Sequence, residues 1–168
     1  SAIGQQQETL THWLYRGVQF WTASTTTKQM LERHGVRRVH IIPYGVHTVA
    51  LPQLDPKPLS PPIRLVMVSR LAPNKRVDHG IHALAQLVAR RVDATLTIVG
   101  SGIMEGAWRQ LAAELELARR VSFAGPLPEN EKDEQLKRAH LLLHTSLREG
   151  WGLNVIEANA MGTPAVVY

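Results

Sequence analysis

The sequence predicts an α/β fold built on a doubly wound parallel sheet. Over residues 63–167, short apolar runs typical of strands alternate with segments that have helical periodicity. The strand segments are apolar at consecutive positions, as expected where helices cover both faces of a sheet. The chain has 168 residues and is 44% hydrophobic and 20% charged, which is ordinary for a globular protein with a buried core.

The first part of the chain, residues 1–46, predicts a small set of elements. They are a helix over 8–16, a strand over 18–22, a helix over 25–34 and a strand over 39–42. Ser24 and Thr25 are suitable N-caps for the second helix, and Gly35 stands at a suitable C-cap position.

A proline-rich stretch follows over residues 47–62. Prolines at that density form neither the interior of a helix nor an inner strand. We therefore expect an extended linker between one unit over 1–46 and a second unit over 63–168.

The second unit alternates regularly. Strands are predicted over 63–68, 94–99, 121–123, 141–144 and 165–167, and helices over 77–90, 105–117, 131–139 and directly after Gly152. Ligands of such sheets bind beyond the carboxyl ends of the strands, so the loops after these strands should share one rim. Because the chain ends at Tyr168 directly after a strand, we expect a fold that is incomplete at its C-terminus and a piece of a longer protein.

The charge balance narrows the ligand classes. A net charge of +5 suits a phosphorylated ligand, an acidic membrane surface or nucleic acid. Aromatic residues make up only 5% and are not interleaved with basic runs, which argues against a nucleic-acid partner. The chain has no cysteine, no signal-peptide pattern and no apolar stretch that would span a bilayer. A cytoplasmic protein is expected, with peripheral membrane contact left open.

The segment 149–157 carries two carboxylates around a glycine turn that opens an apolar helix. Glu149 precedes the helix and Glu157 lies in about its second turn, so both can point toward a pocket at the helix start. Backbone N–H groups and the helix dipole favour an anion there, and Gly150 and Gly152 let a ligand approach the main chain. Since carboxylates repel a bare phosphate, we expect them to hold hydroxyl groups on either side of a phosphate, as a nucleotide sugar presents them.

The loop after the first strand of the second unit adds Arg70 and Lys75 to the same rim. A guanidinium and an ammonium complement a diphosphate, although a solvated basic loop is the alternative. The segment 149–157, expected on the same rim, favours the binding site. Asn154 either fills a place in the first turn of its helix or offers its amide to a sugar or phosphate oxygen.

Gly100-Ser101-Gly102 is similar to the start of a dinucleotide-binding turn. That fingerprint needs a third glycine where this chain has Glu105, so NAD binding is disfavoured. A backbone approach to a nucleotide and a turn needed only for the connection stay open.

A metal site is not expected. The pair His79/His82 has no third ligand nearby in sequence, and the pair His140/His144 bridges a predicted helix end and a strand. The sequence has no Asp-x-Asp pair, with which sugar transferases hold donor phosphates through a divalent ion. Charge neutralisation should therefore come from Arg70, Lys75 and the helix start, with no metal and no other cofactor.

Five segments, over residues 41–46, 68–75, 98–102, 121–125 and 146–158, together resemble a known family in order and spacing. The family is the donor-binding domain of retaining GT-B-fold glycosyltransferases of glycosyltransferase family 4, the glycosyl transferases group 1. The chain departs from the common pattern at Tyr44, Ser69 and Trp151, where asparagine, glycine and phenylalanine are usual. These departures leave the expected fold intact and bear on the hinge and the sugar pocket.

The resemblance implies roles for the residues of the rim. Arg70 and Lys75 would bind the donor diphosphate, and Glu157 the nucleotide ribose. The transferred sugar and its phosphates would contact Glu149 and the backbone of Gly150, Trp151, Gly152 and Leu153. The base would lie near Phe123, Ala124 and Gly125. Residues 1–46 would be the end of an acceptor-binding domain.

The leading hypothesis is a retaining, metal-independent transfer of a sugar from a nucleoside diphosphate to an acceptor hydroxyl, with this chain supplying the donor site. The isolated chain is then expected to be inactive. A nucleotide-sugar-binding module and a GT-B-like sugar-nucleotide epimerase are the alternatives. The sequence does not indicate the base, the sugar, or whether the acceptor is a glycan, a lipid or a small molecule.

Overall fold

The computed structural model describes residues 15, 17–43, 57–147 and 151–167. The chain divides into two compact units, Ser1–Gly45 and Val46–Tyr168. The helix predicted over 8–16, apart from residue 15, and most of the predicted linker fall outside the described residues. Within the described ranges, no helix is long and apolar enough to cross a membrane.

The first unit contains two short parallel strands joined by a helix. They are β1 (Phe20–Thr22), α1 (Thr25–Arg33) and β2 (Val39–Ile41). Ser24 caps α1 as predicted, because its Oγ accepts the backbone N–H of Thr27 at 3.1 Å. Gly35 follows the helix in the left-handed region with φ +86°. Leu31, Val36 and Val39 form a small buried cluster.

The second unit is built on five parallel strands. Its elements are β3 (Ile63–Val68), a 3₁₀ turn (Pro73–Lys75), α2 (Val77–Ala89), β4 (Ala94–Val99), α3 (Glu105–Glu114), β5 (Val121–Gly125), α4 (Glu129–Arg138), β6 (Leu141–His144), α5 (Leu153–Ala160) and β7 (Ala165–Val167). The strand order is β5-β4-β3-β6-β7, with every neighbouring pair parallel. The predicted doubly wound α/β fold is confirmed.

The side chains of consecutive apolar residues point to opposite faces of the sheet, since side chains alternate along a strand. Leu65 and Met67 of β3 pack in one cluster with Ile81 of α2 and Trp108 of α3. On the other face, Val66 packs in a second cluster, which includes Leu136 of α4 and Ala158 of α5. Two helices therefore cover each face.

Helix α3 ends three residues earlier than the pattern predicts. Glu116 adopts a left-handed conformation with φ 58°, and the N–H of Leu117 donates to the carbonyl of Ala112 at 2.7 Å. This is the geometry with which a glycine usually ends a helix. Because a glutamate fills the position, the sequence carries no signal for the stop.

The strand order creates a switch point beside β3. From β3 the chain runs outward through β4 and β5, and then returns to place β6 on the other side of β3. Ligands of doubly wound sheets bind at the carboxyl edge near such a point. The loops after β3 and after β6 lie on its two sides.

The amino edge of the same sheet holds a buried histidine among cations. The backbone N–H of Arg64 donates to Nδ1 of His140 at 3.0 Å, and the Arg64 guanidinium lies 2.8 Å from Nε2. Burial, followed by the charges of Arg64 and Lys57, lowers the pKa of His140 below its ordinary value of 6.5. Protonation would add a third positive charge and remove the Nδ1 acceptor, so the ring is neutral at neutral pH.

We expect the free energy of unfolding to fall as the pH drops below 6.5, because unfolded His140 then binds a proton that the folded ring does not. Above that pH both states are neutral, and the contribution of His140 is fully present. Urea unfolding at about pH 7 and about pH 5 measures the fall. His140→Asn, which keeps an acceptor for the Arg64 N–H, should show a smaller fall, whereas His82→Asn at an exposed site of α2 should match the parent. Equal falls in the parent and His140→Asn would contradict this assignment.

Candidate functional site

The carboxyl edge of the sheet brings the predicted loops together through backbone hydrogen bonds. The N–H of Leu71 donates to the carbonyl of Ser101 at 2.8 Å, and that of Gly100 to the carbonyl of Gly125 at 2.8 Å. These bonds join the loops after β3, β4 and β5. The expectation that these loops share one rim is therefore met.

The loop after β6 joins the same rim from the other side of β3. The N–H of Leu147 donates to the carbonyl of Asn74 at 2.9 Å. In the first turn of α5, Nδ2 of Asn154 donates to the carbonyl of Val68 at 2.8 Å. Asn154 therefore ties α5 to the end of β3, and this use of its amide nitrogen favours the structural alternative over a ligand contact.

Gly100 and Gly102 allow the loops after β3 and β4 to touch main chain to main chain. A Cβ on Gly100, whose φ is +126°, would lie 1.9 Å from the carbonyl oxygen of Ser69. A Cβ on Gly102 would lie 2.3 Å from the carbonyl oxygen of Leu71. The connection itself thus requires both glycines. They shape the loop that carries Arg70.

A cleft of about 440 Å³ lies where these loops meet. Its lining includes Ser69, Arg70, Gly100, Pro126, Leu127 and Lys132. Of the two cations predicted to bind a diphosphate, Arg70 lines this cleft. Lys75 instead ends the 3₁₀ turn, beside the loop that follows β6. The two cations therefore stand at the two ends of one loop, near the switch point.

Lys132 is a site residue that the sequence analysis missed. It lies in the first turn of α4, and its Nζ is 2.9 Å from Oε2 of Glu157 and 2.6 Å from Oε1 of Glu129. Burial alone would lower the pKa of Lys132, but hydrogen bonds to Glu129 and Glu157 and the charges of both carboxylates outweigh it, so the pKa is raised. The ammonium is charged and links Glu157 to the cleft. One sequence feature could have indicated this residue: the helix dipole disfavours a lysine near the N-terminus of a helix, so its presence there calls for an acidic partner.

Phe123 points away from the cleft. Its ring packs against the core cluster on the α3 face, with the guanidinium of Arg109 4.5 Å from the ring centroid. The cleft is lined beyond the end of β5 by Pro126 and Leu127. The role predicted for residues 123–125 at the base therefore remains a prediction, and the two residues that follow them are nearer to the described cleft.

The start of α5 has the predicted glycine geometry. Gly152 precedes the helix in the left-handed region with φ 61°, and its carbonyl accepts the N–H of Val155 at 2.8 Å. Trp151 and Leu153 are each a little over one-third exposed on either side of it. Glu149 and Gly150 fall outside the described residues, and their roles stay predictions.

Within the described part of the chain, no group of three or more histidine, aspartate or glutamate side chains has a geometry that would hold a metal ion. His140, one of the histidines considered above, contacts Arg64 through both ring nitrogens. Among the described residues that line the cleft, Arg70 and Lys132 are charged, and both are cations.

Sequence comparison relates most of the second unit to known proteins. Residues 55–168 match the family described as Glycosyl transferases group 1. A GDP-mannose-dependent monoacylated alpha-(1-6)-phosphatidylinositol monomannoside mannosyltransferase from Corynebacterium glutamicum is 36% identical over 105 residues, 58% of this chain and 27% of that protein. A D-inositol 3-phosphate glycosyltransferase from Nocardia farcinica is 30% identical over 157 residues, 83% of this chain and 34% of that protein. The match spans 27% of the length of the first of these relatives and 34% of the second.

Solved structures show the same fold. Anabaena Alr3699/HepE, crystallised in complex with UDP and glucose, superposes on this chain with a TM-score of 0.78 at 22% sequence identity. The superposition covers 97% of this chain and 48% of the HepE chain. A point mutant of TarM from S. aureus, in a complex that contains UDP, superposes with a TM-score of 0.77 at 22% identity, over 89% of this chain and 29% of its own. At this identity the likeness is one of fold.

Proposed function

The chain belongs to the glycosyl transferases group 1 family, and we propose that it supplies the donor site of an enzyme that transfers a sugar from a nucleoside diphosphate to an acceptor hydroxyl with retention of configuration. Its sheet is that of the Rossmann-like C-terminal domain of GT-B glycosyltransferases. The proposal rests on one observation, the cleft at the carboxyl edge that joins Arg70 to the Lys132–Glu157 ion pair.

The cations of the rim serve the departing diphosphate. Negative charge grows on the diphosphate as the glycosidic bond breaks, and donors that already face this charge lower the barrier. Arg70 offers a rigid fork of N–H donors, and Lys75 a point charge at the other end of the same loop. The N–H groups that precede that of Val155 at the start of α5 have no carbonyl one turn earlier in the helix, and they supply further donors. This set of donors acts without a metal ion.

Glu157 serves the ribose. Its side chain is 21% exposed, and Oε2 is held by Lys132 at 2.9 Å. The ammonium orients the carboxylate, so that Oε1 accepts hydrogen bonds from ribose hydroxyls. The base then lies along Pro126 and Leu127, at the far wall of the cleft. We propose that Glu149, which precedes α5 in the sequence, binds hydroxyls of the transferred sugar.

A binding screen tests the proposal. Calorimetric titrations of the chain with UDP-, GDP- and ADP-sugars, each with and without EDTA, should give binding for one base at least, with an affinity that the chelator does not change. The matching nucleoside monophosphate should bind more weakly, because it lacks the second phosphate. No binding of any nucleotide sugar would contradict the proposed function, and loss of binding in EDTA would contradict its metal independence.

Turnover separates the transferase from the two alternatives. In a protein that combines this chain with an acceptor-side domain, a transferase joins the sugar to an acceptor. An epimerase releases nucleotide without an acceptor-linked product, and a binding module retains the donor without turnover.

The proposal also includes a cytoplasmic location with peripheral contact to a membrane. The acceptor is a glycan, a lipid or a small molecule.

A further inference from the structure

The turn that carries Lys75 is held by a hydroxyl from a distant part of the chain. Thr145 directly follows β6, and its Oγ1 lies 2.8 Å from the carbonyl oxygen of Lys75 and 2.8 Å from that of Arg76. A threonine hydroxyl has one proton. Thr145 therefore shares that proton between two consecutive carbonyls, which face the end of β6.

The backbone at this point reverses sharply. Lys75 ends the 3₁₀ turn, and Arg76 follows in a left-handed conformation with φ 47° and ψ 50° before α2 begins. A residue other than glycine keeps this conformation only where its surroundings fix it. The hydroxyl of Thr145 binds the carbonyls of the two peptide groups that flank the Cα of Arg76, and so fixes the reversal.

A second contact from the same loop supports the turn. Two residues beyond Thr145, the N–H of Leu147 donates to the carbonyl of Asn74 at 2.9 Å. Residues 74–76 are thus held at three successive carbonyls by the segment 145–147. That segment follows β6, which pairs with β3, and Asn154 ties the first turn of α5 to the end of β3. The backbone of Lys75 and the start of α5 are therefore both held at the carboxyl ends of these two neighbouring strands.

We propose that Thr145 is a positioning residue for Lys75, whose hydroxyl holds the turn so that the ammonium faces the diphosphate bound at the start of α5. This inference rests on the proposed function of the site. Valine has the shape of threonine without the hydroxyl, so Thr145→Val leaves two carbonyls without their donor. Thr145→Ser keeps the donor. Thr95→Val, near the amino end of β4, removes a hydroxyl at the opposite edge of the sheet.

The test is a double-mutant cycle read by calorimetric titration with UDP and with GDP. Thr145→Val is expected to weaken binding about tenfold, and Thr145→Ser and Thr95→Val to stay within about twofold of the parent. Adding Thr145→Val to Lys75→Met should have no further effect, because the residue acts through the ammonium. Parent-like binding by Thr145→Val, or a full tenfold loss added to that of Lys75→Met, would overturn the proposal.

A replacement variant and the variants Lys75→Met and Arg70→Met separate failure of this inference from failure of the proposed function. If Thr145→Val does not fold, as judged by urea unfolding, Thr145→Ala takes its place in the same cycle, with the same expected results. If neither Lys75→Met nor Arg70→Met weakens nucleotide binding, the proposed function of the site fails. If Arg70→Met weakens binding and Lys75→Met does not, the proposed function stands and the role of Thr145 is refuted.

Discussion

Arg70→Ala is expected to weaken nucleoside diphosphate binding by a factor of roughly 10 to 100, since a hydrogen bond to a charged group contributes about 1.5–3 kcal/mol. Arg70 is exposed on the wall of the cleft, at the carboxyl edge where the loops meet. In turnover we expect a loss on the order of a hundredfold or more, because charge on the diphosphate is greatest in the transition state. Calorimetry measures the first effect and steady-state kinetics the second.

Two variants make the Arg70 prediction specific. Arg70→Lys keeps the charge but loses the fork of donors, so its affinity should fall between those of the parent and Arg70→Ala. Arg90→Ala makes the same change in net charge at an exposed position after α2, at the opposite edge of the sheet. It should bind like the parent. Equal losses in Arg70→Ala and Arg90→Ala would show that overall charge, and not a site at Arg70, governs affinity.

Gly100→Ala and Gly102→Ala are expected to abolish detectable nucleotide binding and to destabilise the fold by about 3 kcal/mol. The added methyl would lie 1.9 Å from the backbone of Ser69 in the first variant and 2.3 Å from that of Leu71 in the second. Backbone atoms cannot turn aside as side chains do, so the loops after β3 and β4 must separate. That separation displaces Arg70, which lies between Ser69 and Leu71.

Gly106→Ala is the matched control for these two variants. Gly106 lies in α3, and a Cβ there would meet no atom within 4 Å. Because alanine favours a helix over glycine, this variant should be more stable by roughly 0.5–1 kcal/mol and should bind normally. Urea unfolding and calorimetry compare all three variants. Normal binding by Gly102→Ala would show that the contact between the loops is not needed for the site.

The central strands β3, β4 and β6 could be predicted from sequence because they are buried on both faces. The bounds of β3, β4, β6 and β7 agree with the predicted ones, since a run such as 63–68 is apolar almost throughout and ends at polar or turn residues. The predicted helix ends differ more from the observed ones. At Glu116 the stop depends on a left-handed glutamate, and at Glu129 the helix begins two residues early, directly after Pro128.

The site could be predicted only in part, for a physical reason. The positions of Arg70 and Gly152 follow from loops that a parallel sheet must place at one edge. The pairing of Lys132 with Glu157 joins two helices that are distant in sequence, and nothing local specifies it. Side-chain alternation places Phe123 on the same face of β5 as Val121. The sequence does not indicate which face of β5 borders the cleft, because that depends on where α4 packs.

A crystal structure of this chain with a bound nucleoside diphosphate tests the central claim most directly. We predict the diphosphate within hydrogen-bonding distance of the Arg70 guanidinium and of the first N–H groups of α5, with the ribose hydroxyls on Glu157. A diphosphate bound elsewhere, for example beside Arg119 and Arg120 at the amino edge of the sheet, would contradict the proposed site.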